Sequence, residues 1–270
     1  MRFMRAVTAL EPGDHACLVY DDDARRDAVL RQFVLEGLAR GQRVLCCPPT
    51  ETSAVDDLQA DGLAQFDAHD VYTDAGTFSV DYALGRWRTT LDELVAEGVE
   101  GLRAAGGPPA SVTTADNAHA LTDYERRVTE LITEHGVVAV CVYDVRTTDP
   151  RTLLGVVDAH PTVLYAVQGD PRLVVEVREP QSLDLRGSIE TATIGTLVGP
   201  LMEAIADERD VELDLRDVDF IDLAGLRLLV EAAALLAGDE RKLVLVGSPS
   251  WLSPILEMAE LDTREGLVLQ

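Results

Sequence analysis

Val211, Leu213 and Leu215 alternate with Glu212 and Asp214, which is the period of a half-buried strand. A few residues later the period changes. Leu226, Leu229, Val230 and Ala233 fall at i, i+3, i+4 and i+7, the inward stripe of a helix. Asp222 stands just ahead of that stripe and is the natural N-cap, because its carboxylate can accept from amides of the first turn. Gly238 supplies the stop.

The same alternation of periods runs through the rest of the chain. Strands are expected at His15–Tyr20, Arg43–Cys47, Gly101–Ala105, Val137–Tyr143 and Thr162–Val167. Helices are expected between Asp23 and Gly41, around Val55–Gln59, after a Ser79 cap with the stripe Val80, Leu84, Trp87, Leu91 and Leu94, and over Asp123–Glu134. Val137–Tyr143 has no polar alternation, so it should be buried on both faces of a sheet. Strands alternating with helices predict an α/β domain with a mainly parallel sheet. Past the turn Gly169-Asp170-Pro171 the order becomes two paired strands (Leu173–Val177, Ser182–Arg186), a helix over Glu190–Ala206, the strand–helix unit above, the strand Leu243–Val246, a last helix capped by Ser250, and an edge strand at Leu267–Leu269. The expected division is therefore into two domains, 1–169 and 170–270.

Composition narrows the function classes. The 270 residues hold 48 Asp and Glu against 23 Lys and Arg, a formal charge of −25, which excludes the basic footprint of a nucleic-acid binder and disfavours an anionic membrane surface. No apolar run reaches the length of a membrane span, and the first residues have too short an apolar core for a signal peptide. Cys17, Cys46, Cys47 and Cys141 lack metal-ligand spacing, and three sit in apolar strand-like runs, so buried reduced thiols and a cytoplasmic location are expected. Lys242 is the only lysine, and Arg elsewhere with abundant Ala, Val and Leu fits a GC-rich bacterial genome.

Two groups of residues carry resemblances. Phe220-Ile221-Asp222-Leu223-Ala224-Gly225-Leu226 resembles the diagnostic segment of the STAS domain of bacterial anti-sigma factor antagonists. The resemblance implies a mixed sheet with helices on one face, and a partner-docking surface made by Asp219, Asp222, Leu223, Ala224, Gly225 and Leu226. In phosphorylated members of that family a Ser or Thr precedes the glycine. Here that position is Ala224, beside Leu223, so the usual phospho-switch is not expected. The implied partner is an anti-sigma factor or a GHKL-type kinase, in transcription regulation; a scaffold in a multiprotein signalling complex is the alternative.

In the first half, Gly13-Asp14-His15, Tyr124-Glu125, Cys141-Val142-Tyr143-Asp144 and His160-Pro161 follow the order of the MEDS sensory domain of DcmR-type regulators. That resemblance, with the rule that loops at the carboxyl ends of parallel strands form the ligand crevice, implies a small-molecule site at His15, Tyr20, Tyr124, Glu125, Tyr143, Asp144 and His160. His15, Tyr124, Asp144 and His160 are expected around one concavity. Ala104-Ala105-Gly106-Gly107 stands where the family often has an acidic and an aromatic residue, which implies an altered pocket. The fold implied is P-loop-like, but no Walker A motif occurs: Asp21-Asp22-Asp23 follows the first strand, where it would repel phosphate. No nucleophile elbow is present. No enzyme activity, catalytic residue, cofactor or bound metal is expected, paired His spacing being absent.

Overall fold

The computed structural model describes residues 7–49, 55, 58, 60–166, 172–258 and 264–270. The described residues fall into two compact units, divided after Ala166. The expected boundary at Gly169-Asp170-Pro171 lies outside the described residues, as does most of the helix expected around Val55–Gln59.

The first unit runs β1 (His15–Tyr20), α1 (Asp23–Ala39), β2 (Arg43–Cys47), β3 (Leu63–Gln65), α2 (Ala68–Tyr72), the short hairpin β4 (Thr73–Asp74) and β5 (Thr77–Phe78), α3 (Val80–Ala96), β6 (Leu102–Gly106), α4 (Ala118–His135), β7 (Val137–Asp144), α5 (Pro150–Ala159) and β8 (Thr162–Ala166). Six strands form a parallel sheet in the order β3-β2-β6-β7-β1-β8. β7 and β1 are interior, which is why both read as unbroken apolar runs. Local chemistry sets the helix ends. Asp22 caps α1 by accepting from Arg25 N at 3.0 Å, and Ser79 caps α3 by accepting from Tyr82 N at 3.3 Å. α4 stops where Gly136 turns left-handed at φ 61°.

The pleat sorts residues of each strand to two faces. On one side Ala16, Leu18, Tyr20, Val138, Val140 and Val142 meet Leu30, Phe33 and Val34 of α1 in one apolar core. On the other, His15, Cys17, Cys141 and Tyr143 look toward α4 and α5, which pack on each other. β3, α2, the β4–β5 hairpin and α5 were not foreseen from the periodicity. The three strands are only two or three residues long, too short to show a period.

The second unit runs β9 (Leu173–Glu179), β10 (Ser182–Ile189), α6 (Ile194–Ile205), β11 (Val211–Ile221), α7 (Leu223–Ala237), β12 (Leu243–Val246), α8 (Leu252–Met258) and β13 (Leu267–Leu269). The sheet order is β13-β12-β11-β10-β9, parallel except for the antiparallel β9–β10 pair. Leu183, Leu185, Val211, Leu213 and Leu215 are fully buried, and α6 and α7 pack against this sheet. Polar positions of the strands carry an Arg–Asp lattice instead: Arg178 pairs with Asp184, and Arg216 with Asp214. β11 extends to Ile221, six residues beyond the clear alternation, because it pairs with β10 across two register shifts as far as Ile189–Ile221.

Candidate functional site

α4 carries an apolar stripe at Leu121, Tyr124, Val128, Leu131 and Ile132, and Glu125 sits in that stripe rather than opposite it. A carboxyl at an inward helical position is costly unless it has partners. Its partners come from the facing sheet and from the end of α5. Tyr143 OH donates to Glu125 Oε1 in a short hydrogen bond. Glu125 Oε2 lies 3.4 Å from His15 Nε2 and 3.3 Å from His160 Nε2. His15 Nε2 is also 3.2 Å from Cys141 Sγ. The two imidazoles are close, with centroids 4.1 Å apart, and His15, Glu125 and His160 are each no more than 1 % exposed.

The partners dictate the tautomers. His160 Nδ1 lies 2.6 Å from the Val156 carbonyl, which can only accept, so Nδ1 carries the proton. Thr129 Oγ1 donates to the Glu125 carbonyl at 2.7 Å, so at 2.8 Å it accepts from His15 Nδ1. In the neutral rings both Nε2 atoms then present lone pairs toward Glu125 Oε2. Burial pushes the His15 imidazole down to about 3, so the ring is neutral. Burial likewise pushes the Glu125 carboxyl up, against the opposing pull of His160 and the Tyr143 hydrogen bond. Burial, reinforced by Glu125, raises the Cys141 thiol and the Tyr143 phenol. Burial dominates the cluster: it keeps the His15 ring neutral and pushes the Glu125, Cys141 and Tyr143 acids up.

Beside it is a small apolar cavity of about 40 Å³ lined by Tyr72, Trp87, Leu91, Ala104, Tyr124 and Cys141 among others. A water needs about 10–15 Å³ by this measure, so the space suits a guest of a few heavy atoms at most. The phenol rings of Tyr72 and Tyr124 meet edge-on at 5.5 Å and wall it on one side. Ala104 and Gly106 face Ala139 and Cys141 across the β6–β7 ladder. The small residues at this end of β6 are what leave the space open. Larger side chains are barred further along: a Cβ on Gly106 would sit 2.1 Å from the Cys47 carbonyl oxygen, and one on Gly107 would sit 2.3 Å from that of Val142.

Of the residues expected to form a ligand site, His15, Glu125, Tyr143 and His160 come together, and Tyr124 lines the adjoining cavity. Tyr20 and Asp144 do not join them, which corrects the expectation of one shared rim. Both stand on the α1 face, because each is at odd spacing from its partner in the cluster: five residues from His15, one from Tyr143. There Arg146 Nε bonds Asp144 at 2.8 Å and its Nη2 bonds Asp23 at 2.6 Å, while Tyr20 lies under Arg26 and Arg146. In this region Asp22 occupies the start of α1, and Arg146 pairs the acid at the end of β7. Cys141 was expected to be a plain core thiol; it is half-buried because it faces the cavity.

In the second unit Asp222 caps α7, accepting from Gly225 N at 2.8 Å, and its other oxygen accepts from Thr191 N at 2.9 Å and Thr191 Oγ1 at 3.0 Å. Partial burial opposes its ionisation, but these donors outweigh it and hold the carboxyl below its usual value. Phe220 and Leu223 flank it with 49 % and 63 % exposure, large values for apolar side chains. Asp219 is exposed and Ala224 half-buried. Gly225 and Leu226 are buried: a Cβ on Gly225 would lie 2.6 Å from the Ile189 carbonyl oxygen, so this glycine serves close packing of the helix start against β10.

No helix among the described residues is long and apolar enough to cross a membrane. Residues 14–161 match the family model described as MEDS, MEthanogen/methylotroph, DcmR Sensory domain. Residues 173–270 match the model described as Mlab, STAS domain. No curated protein matches the chain.

Proposed function

The chain belongs to the MEDS family, whose model covers more than half of it, with a STAS module behind; from that premise we propose a cytoplasmic signalling regulator in which the first unit binds a small, mainly apolar molecule and the second docks a protein. The cavity beside the His15–Glu125–Cys141–His160 cluster carries this reading. It combines an apolar wall with a few convergent polar groups, the usual make-up of a small-molecule site. Its size favours guests of one to a few heavy atoms. The helix start at Asp222 is the proposed docking surface, with Leu223 and Phe220 as apolar anchors and Asp219, Asp222 and Ala224 around them. Gly225 and Leu226 support it from beneath. An anti-sigma factor or a GHKL-type kinase is the proposed partner, in the manner of an anti-sigma factor antagonist.

Leu223 and Ala224 lack hydroxyls, so docking is not set by phosphate at these positions. That favours a second reading, a scaffold held permanently in a signalling complex. No catalytic role is proposed for any residue. Trp87 lines the cavity, so its emission reports occupancy directly. A panel of halogenated and hydroxylated one- to three-carbon compounds should shift it saturably, and no saturable shift across the panel would count against the sensory site. Affinity capture from the native host separates the other two readings: a single anti-sigma factor or kinase supports the antagonist, a stable multiprotein assembly the scaffold.

A further inference from the structure

We propose that His15, Glu125, Cys141 and His160 form a four-ligand centre for a divalent transition ion of the zinc class. One ligand atom from each lies within 4.8 Å of all the others. Three of the six edges are close to those of a coordination tetrahedron. An ion bonded at about 2.0–2.1 Å to nitrogen and oxygen spaces those atoms about 3.3–3.4 Å apart. His15 Nε2 and Glu125 Oε2 are 3.4 Å apart, and His160 Nε2 and Glu125 Oε2 are 3.3 Å apart. His15 Nε2 to Cys141 Sγ, at 3.2 Å, opens by a few tenths of an ångström to admit the longer metal–sulfur bond of about 2.3 Å.

The outer contacts are those a metal site needs. Ligating imidazoles hold their other nitrogen on a carbonyl, carboxylate or hydroxyl, which fixes tautomer and ring orientation. His160 does so on Val156 O, and His15 on Thr129 Oγ1, itself tied to the Glu125 carbonyl. Tyr143 occupies Glu125 Oε1 and leaves Oε2, the oxygen that faces both imidazoles, for the centre. Charge also closes. Two neutral imidazoles, one thiolate and one carboxylate around a dication sum to zero, so the loaded site carries no net charge into a desolvated interior. Because the ligands must be deprotonated to bind, loading releases protons to the buffer.

Softness selects the ion. A thiolate with two imidazoles favours zinc or cobalt over magnesium or calcium, which prefer oxygen. The ligands come from β1, α4, β7 and the residue after α5, so an ion would pin α4 and α5 to the sheet. Because Cys141 also lines the cavity, a bound ion would touch the wall of the proposed sensory site.

The test uses the full chain, stripped with a chelator and titrated with cobalt(II). Expected are one ion per chain, visible ligand-field bands of tetrahedral intensity, a near-ultraviolet thiolate-to-cobalt band, and displacement by zinc. Cys141→Ser should lose the near-ultraviolet band and bind at least about tenfold more weakly, as even outer-shell changes cost roughly 10–100-fold. Thr129→Val keeps all four ligands and should weaken binding about tenfold through His15. Asp144→Asn, on the other face of the sheet, should bind like the parent. Circular dichroism checks that each variant is folded. Absence of saturable binding at one per chain in the parent, or an unchanged spectrum in folded Cys141→Ser, overturns the proposal. Cobalt is read without any organic guest, so a chain that binds it but shows no Trp87 response keeps the centre and loses only the sensory site.

Discussion

Replacing Asp222 with Ala removes three hydrogen bonds at the start of α7: one from Gly225 N and two from Thr191. Loss of an N-cap carboxylate costs about 1 kcal/mol. Each Thr191 bond contributes about 0.5–1.5 kcal/mol at most, and Thr191 is exposed, so its freed groups turn to water and the sum is discounted. The expected cost is about 2 kcal/mol at neutral pH. Asp222→Asn keeps one carbonyl acceptor and should lose about half of that. For a unit of roughly 100 residues, each kcal/mol shifts the melting temperature by about 4–8 °C, so drops near 10 °C and 5 °C are expected for its transition. Amide hydrogen exchange in the full chain gives the local readout, with Gly225 and Thr191 amides losing protection first. The pH dependence has a definite sign. The folded Asp222 carboxyl is held below its unfolded value, so its stabilisation is present above the unfolded pKa of about 3.9 and is lost as pH falls through the lower, folded value. The gap between parent and Asp222→Ala should therefore close in strong acid. An Ala variant within about 0.5 kcal/mol of the parent at pH 7, or a gap undiminished below both pKa values, would refute the reasoning.

Ala104→Val should fill the cavity and abolish the Trp87 emission response while costing less than about 1.5 kcal/mol in thermal unfolding, since the side chain enters open space. Gly106→Ala should instead destabilise by at least about 1–3 kcal/mol in urea titration, because its Cβ meets the Cys47 carbonyl of the neighbouring strand. Leu223→Asp and Ala224→Asp should each weaken capture of the protein partner, by about 30-fold for Leu223 if it is an apolar anchor worth roughly 2 kcal/mol; Arg227→Ala, one turn away and exposed, serves as the comparison, and equal capture by all three would remove the helix start as the docking surface.

The elements most legible in the sequence were those whose period is long and whose ends carry caps. α7 was readable from Leu226, Leu229, Val230 and Ala233 with Asp222 before and Gly238 after, and all three features stand in the structure. β1, β2 and β12 were readable to the residue, because apolar runs there meet charged or turn residues on both sides. α5 was missed despite Pro150 at its first turn and Asp149 as its cap, accepting from Arg151 N at 3.0 Å. Its buried residues Leu153, Leu154, Val156 and Val157 fall at i, i+1, i+3 and i+4, so its stripe too was available from the sequence. β3 and the β4–β5 hairpin hold two or three residues each, and their pairing comes from neighbours distant in sequence, which no local pattern reveals.

The candidate site was half legible, and strand parity explains which half. Residues at the carboxyl ends of β1 and β7 look like one rim in a linear reading. Alternation sends Tyr143 and Asp144 to opposite faces, and His15 and Tyr20 likewise. Counting by two from Tyr143 reaches Cys141, so the thiol belongs with Tyr143 and not with Asp144; that count was available from the sequence. So was Glu125, an acid occupying an inward position between Leu121 and Val128, where a carboxyl survives only with partners. What the sequence does not contain is the distance. The closure of His160 onto Glu125 depends on α5 returning the chain beside β1, and the tautomers depend on Val156 O and Thr129 Oγ1, which are known only once α4 and α5 are packed. Two imidazole nitrogens, a carboxyl oxygen and a thiol therefore converge through one sheet face and two helices, beside a cavity lined on β6 by the small residues Ala104, Ala105 and Gly106. A guest that presses on Cys141 or Tyr124 meets side chains tied through Glu125 and Thr129 to α4, and through His160 to the end of α5. Under the proposed sensory reading, occupancy of this space would press on the seating of both helices, packed elements of the kind that switching proteins shift.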